Sequence, residues 1–161
     1  MAERAPSRIR EKPAQLPNPA LPGADFADCY ARDLGHSSMT AEAFARAMIK
    51  DTPDWAKRLL ILRNMLVRPF GLSGGKTDGN SVNGFPFVSC EDDRVVLGFD
   101  DKHLDFRIVV DMTGRGTEKA CAHVTTLVRR HGLPGRLYLA GVLPFHRKIV
   151  PAMMRRVLVE G

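Results

Sequence analysis

The chain has 161 residues, 44% apolar and 26% charged, with a formal net charge of +6, the composition of one globular domain that buries a core without covalent staples. Its three cysteines, Cys29, Cys90 and Cys121, are odd in number, far apart and without a CxxC pair, which argues against a disulfide framework or a zinc site. The segment Met1 to Lys12 lacks the apolar core of a signal peptide, and no apolar run approaches the roughly 18 residues of a membrane span, so the expected setting is the reducing cytoplasm.

Residues 1 to 23 contain Pro6, Pro13, Pro17, Pro19 and Pro22 with alternating charges and no periodicity; they read as an extended arm preceding a single domain over 24 to 161. A first strand is expected from Asp25 to Leu34. Helical pattern starts at the N-cap Thr40 and restarts at Thr52-Pro53, giving a helix pair. In the second helix Trp55, Leu59, Leu62 and Leu66 share one face, expected to be core, before Pro69 and Gly71 end it.

The glycine-rich loop Gly71 to Gly84 includes Gly-Gly-Lys-Thr. It fails as a phosphate-binding loop: Phe70 stands where the first glycine is needed, a helix precedes it, and turn residues follow Lys76 and Thr77. Strand patterns then run from Phe85 to Cys90, Arg94 to Asp100, His103 to Met112 and about Glu118 to Arg130, separated by short turns, an antiparallel meander. In the third, Leu104, Phe106, Ile108, Val110 and Met112 occupy a face expected to be packed, and His103, Asp105, Arg107 and Asp111 one expected to be polar.

After Gly132 to Gly135, a helix is expected from Arg136 to Val159. Tyr138, Val142, Phe145, Ile149 and Met153 form its apolar face, with Pro144 and Pro151 on the opposite side, bending it around a core. Charge is polarised: Arg129 to Gly161 carries seven bases and one acid, Asp78 to Glu118 nine acids and four bases.

The element order and three stretches, LRNMLVRPFGL (Leu62 to Leu72), VLGFDDKHLDFRIVV (Val96 to Val110) and GRLYLAGVLPFHRKIVPAMMRR (Gly135 to Arg156), resemble the bacterial family catalogued as domain of unknown function 2867. The order also resembles the helix-grip fold of the START-like and Bet v 1-like (SRPBCC) superfamily. The resemblance implies an α+β domain whose antiparallel sheet grips a long C-terminal helix, with a helix pair after the first strand. Family members are sometimes joined to nucleotide-binding reductase-like domains, which implies an accessory or ligand-handling role; none is read in this chain. The sequence shows five or six strands where about seven are usual.

The expected function is binding of an apolar or amphipathic small molecule between sheet and C-terminal helix. Its pocket would be lined by Phe106, Ile108, Val124, Tyr138 and Phe145, with His146, Asp105 and Arg107 as polar groups. His146 lies mid-arc on the helix, either as a core histidine satisfied by backbone or as a ligand donor or general base. His103, Asp105 and Arg107 are either a solvated row with a cross-strand ion pair or a carboxylate-binding row. Arg63 and Arg68 complement a helix C-terminus, and Tyr138 is first of all core.

No metal or other cofactor is expected, because His36, His103, His123, His131 and His146 form no HxxxH pair, and no residue stands in a nucleophile context. A second function class is a cyclase- or hydratase-like enzyme using His146 or Asp105 as acid or base. The third, ranked last for want of an aromatic platform, is an anionic surface binder (nucleic acid or lipid) through the basic C-terminal helix and its flanks, Arg129, Arg130, Arg136, Arg147, Lys148, Arg155 and Arg156.

Overall fold

The computed structural model describes residues 8–58, 81–82 and 85–159. Among these, seven strands form one antiparallel sheet: β1 (Ile9–Lys12), β2 (Phe26–Ser37), β3 (Ser81–Val82), β4 (Phe85–Cys90), β5 (Arg94–Asp100), β6 (Leu104–Thr113) and β7 (Thr117–Arg130). Their spatial order is β1-β2-β7-β6-β5-β4-β3. Helix α1 (Ala41–Lys50) follows β2, and α2 (Gly132–Arg156) follows β7. This is the expected α+β helix-grip arrangement, with two strands, β1 and β3, beyond those legible in the sequence. β1 lies within the expected arm and β3 within the expected loop; both are too short to show a period.

Helix α1 starts where Thr40 Oγ1 accepts the Ala43 N–H at 3.2 Å, one of the first-turn donors with no partner inside the helix. Its buried Phe44, Ala45, Met48 and Ile49 share a core with Val95, Leu97, Val110 and Met112 of the sheet. A second helical segment begins at Asp54, with the Lys57 N–H on the Pro53 carbonyl. Trp55 is 45% exposed there rather than core. The remainder of its expected face (Leu59, Leu62, Leu66), Arg63, Arg68, Lys76 and Thr77 lie outside the described residues.

Alternation along β6 places Leu104, Phe106, Ile108, Val110 and Met112 on the inner face, as expected. The opposite face is not simply polar. Val96, Val109 and Leu127 form a second apolar patch there, and Leu21, 4% exposed, closes it together with Ala20 and Ala24. The reading of the arm as merely extended therefore needs correction: Ile9 to Lys12 pairs with Arg32 to Cys29 of β2, and the proline-rich stretch after it folds back over the sheet. Proline cannot donate to a ladder, but it can hold a leucine against one.

α2 runs unbroken through Pro144 and Pro151. Gly135 is buried where the helix meets the start of β6; a Cβ there would collide with the His103 carbonyl, so glycine permits the close approach. Beyond it, Leu139 packs on Leu104 and Val128, and Val150, Met154 and Val157 join the core beneath α1.

Candidate functional site

The register of β2 against β7 sets Asp28 opposite Thr126, Tyr30 opposite Val124 and Arg32 opposite Ala122. Val124 and Ala122 belong to the inner core, so this face of β2 presents an acid, a phenol and a guanidinium beneath α2. Each is buried, and charged groups at such depth persist only when paired.

Asp28, 8% exposed, meets His146 from α2. The imidazole Nε2 is 3.2 Å from Asp28 Oδ1 and 3.0 Å from Oδ2. One ring nitrogen bonds well in only one direction: Oδ1 has the hydrogen-bond geometry, while Oδ2 makes an electrostatic contact without a bond of its own. Opposite them Thr126, 2% exposed, has a buried Oγ1 with no hydrogen-bond partner among the described residues. Burial raises the pKa of the neighbouring Tyr30 phenol, and the charge of Asp28 raises it further.

Arg32 serves the helix instead. Its Nη1 donates to the carbonyls of Met154 and Val157, the latter at 2.9 Å. The first is one of the last carbonyls of α2 and the second that of its C-cap residue; carbonyls at this end have no partner within the helix and carry its negative dipole end. Burial lowers the Arg32 pKa. Sequence reading missed both Asp28 and Arg32; the available signal was the Asp28, Tyr30, Arg32 alternation, which reads as an outward polar face until β2 is paired.

Of the expected pocket residues, Phe106, Ile108 and Val124 lie on the inner face, Tyr138 packs, as Phe106 does, against the cluster of Leu104, Val128 and Leu139, and His146 faces Asp28. Phe106 also belongs to an aromatic group with Phe85 and Phe99, ring centroids 5.8–6.5 Å apart. Phe145 is not brought in; it is 48% exposed. With His146 turned to Asp28, the preceding residue projects about 100° away around the helix.

Asp105 and Arg107 lie on the outer face and share no pocket with His146. Asp105, 3% exposed, has Arg129, its partner across the β6–β7 register, at 2.6 Å and His131 at 3.0 Å; both are electrostatic contacts to Oδ2, which, like Oδ2 of Asp28, has no hydrogen bond among the described residues. Arg107 reaches Asp100 at 2.8 Å and the Phe99 carbonyl at 3.1 Å. Both residues make cross-strand and turn contacts, and Arg107 Nε is a further buried atom without a hydrogen bond among the described residues.

A surface depression of about 410 Å³, lined by Ser38, Asp93, Met112, Gly114, Arg115 and Gly116, lies at the β6–β7 turn rather than beside Asp28 and His146. Arg115, its one base, is already paired with Asp92 and Asp93, so we place the candidate site at the buried polar group. Among the described residues, no group of three or more His, Cys, Asp or Glu is placed to hold a metal ion. Nor is any described helix long and apolar enough to cross a membrane.

An antiparallel sheet closed by a long C-terminal helix, with a buried acid and hydroxyl and a half-buried imidazole at the seam, defines an α+β helix-grip domain. The chain belongs to the family described as Protein of unknown function (DUF2867), whose model matches residues 20–153. Among curated proteins and solved structures, none matches it.

Proposed function

We propose that the domain is START-like and holds an apolar or amphipathic small molecule against the inner face of its sheet, with Asp28, Thr126 and His146 as polar anchor. The observation that carries this reading is that two residues paired across β2–β7, Thr126 and Asp28, each bury an oxygen (Oγ1 and Oδ2) with no hydrogen bond among the described residues. A buried hydroxyl left unpaired costs about 1–3 kcal/mol, which a ligand polar group would recover. Asp28 calls for a donor, so the ligand class is an apolar molecule bearing a hydroxyl or amine, its body against Phe106, Ile108 and Val124.

Native mass spectrometry of the purified protein, followed by a denaturing run, tests this. The expected result is a bound molecule of that class, lost on Thr126→Val while the fold keeps or gains stability, because valine removes only the unpaired hydroxyl. An apo mass, together with no thermal shift from long-chain alcohols or amines, would overturn the reading.

The pair itself supports a second reading. A carboxylate that orients an imidazole is the arrangement of a general base, so an acid–base enzyme would use His146 with Asp28, not Asp105. Turnover of the identified ligand, abolished by His146→Gln with binding retained, is its expected signature; binding without turnover removes it.

A further inference from the structure

The outward side of α2 is unlike the rest of the surface. The helix carries five bases, Arg136, Arg147, Lys148, Arg155 and Arg156, and no acid. Seven arginines elsewhere, on the strands, turns and α1, are paired with carboxylates; none of these five forms an ion pair among the described residues. Although Arg8, Lys12, Lys50, Lys102 and Lys119 are likewise without one, they are scattered over separate elements rather than gathered on one helix. All five are exposed. On the same side, Leu133 and Leu137 are each 66% exposed and Phe145 is 48% exposed. Ala140, Gly141 and Pro144 between them are exposed as well.

At about 100° per residue, Leu133, Leu137, Ala140 and Pro144 fall within one outward arc, flanked by Gly141 and Phe145. Arg147, Lys148 and Arg155 continue that arc toward the C-terminus. We propose that this face of α2 is a docking surface for an anionic lipid bilayer. An apolar ridge followed by unpaired cations matches the layered chemistry of such a surface, in which acyl chains take leucine and phenylalanine and phosphates take arginine and lysine.

Charge complementarity selects this occupant. A second copy docked on the same face would bring the cations of this arc, Arg147, Lys148 and Arg155, against their own counterparts, which repel. A nucleic acid would satisfy the cations but leave Leu133 and Leu137 without a matching surface, and it would find no row of aromatic rings to stack on. Docking requires no unfolding, because the opposite side of α2, Leu139, Val150 and Met154, stays on the core. The inference is independent of whether the buried polar group takes a ligand.

The test is co-sedimentation of the full chain with vesicles of phosphatidylcholine alone and of phosphatidylcholine with an equal part of phosphatidylglycerol. Binding is expected to the anionic vesicles only, weakening as salt is raised. Leu137→Glu with Phe145→Glu should abolish it. Arg147→Glu with Lys148→Glu should weaken it roughly tenfold or more, since each base near a charged bilayer contributes several-fold. Both variants change exposed side chains, and thermal melts should match the parent. Equal binding to both vesicle types, indifference to the leucine and phenylalanine changes, or preference for single-stranded DNA over vesicles at equal salt would each overturn the proposal. So would a stable dimer that both variants dissolve.

Discussion

The imidazole Nε2 of His146 stands 3.0 Å from Oδ2 of Asp28, across 118 positions of sequence. The contact ties the middle of α2 to β2 through two side chains that are both largely shielded from water. Asp28→Asn and His146→Gln, alone and together in a double-mutant cycle by urea unfolding, should show a coupling of about 1–2 kcal/mol. Strict additivity would mean that the two groups merely sit side by side.

Arg32 fastens the far end of the same helix. Arg32→Met keeps the bulk but leaves the Met154 and Val157 carbonyls without their donor, a loss of about 2–4 kcal/mol. Hydrogen exchange should locate the damage: amides of the last turns of α2 lose protection before those of α1. Uniform loss through the domain would show that Arg32 acts on the whole fold rather than on the helix end.

The proline-rich arm should behave as part of the core. Leu21→Ala removes a side chain that is 4% exposed against Val96, Val109 and Leu127, at a cost of about 2–3 kcal/mol. Leu16→Ala, 43% exposed in the same arm, should change stability by less than about 0.5 kcal/mol. Equal effects at the two positions would contradict the packing described.

His123 should set part of the acid sensitivity. Burial, with Lys12 adding to it, lowers its pKa from the ordinary 6.5. Above 6.5 the ring is neutral in both states and contributes nothing. As pH falls through that value the unfolded chain takes up the proton first, so stability declines until the folded value is reached. His123→Gln should therefore flatten the fall in urea midpoint between neutrality and about pH 5. An unchanged slope would assign the acid sensitivity to other groups.

How much of this was legible depends on the range of the signal. Alternation gave the bounds of β4 and β5 as observed and those of β6 and β7 to within a residue, and Thr40 marked the start of α1. The C-terminal helix is legible too, although it begins at Gly132 rather than Arg136 and ends at Arg156 rather than Val159. These are local signals: a strand shows its period and a helix its cap whatever lies opposite. His146 was picked out because it interrupts an apolar arc on one helix. Its partner was not, since nothing in the sequence places Asp28 across from it.

By itself the sequence determined an α+β domain with an antiparallel meander and a closing helix, because periodicity and caps are properties of neighbouring residues. Alternation along β6 already sets Asp105 and Arg107 on the face opposite Phe106 and Ile108; only the tertiary structure decided that β2 turns Asp28 and Arg32 inward, that Leu21 covers the second face, and that Phe145 faces out. The first and last of these follow from pairing β2 with β7 and seating α2 upon them, the second from folding the arm over the other face of β5, β6 and β7. A shift of one residue in that register would exchange the two faces of the strand, and long-range packing, not local propensity, holds it in place.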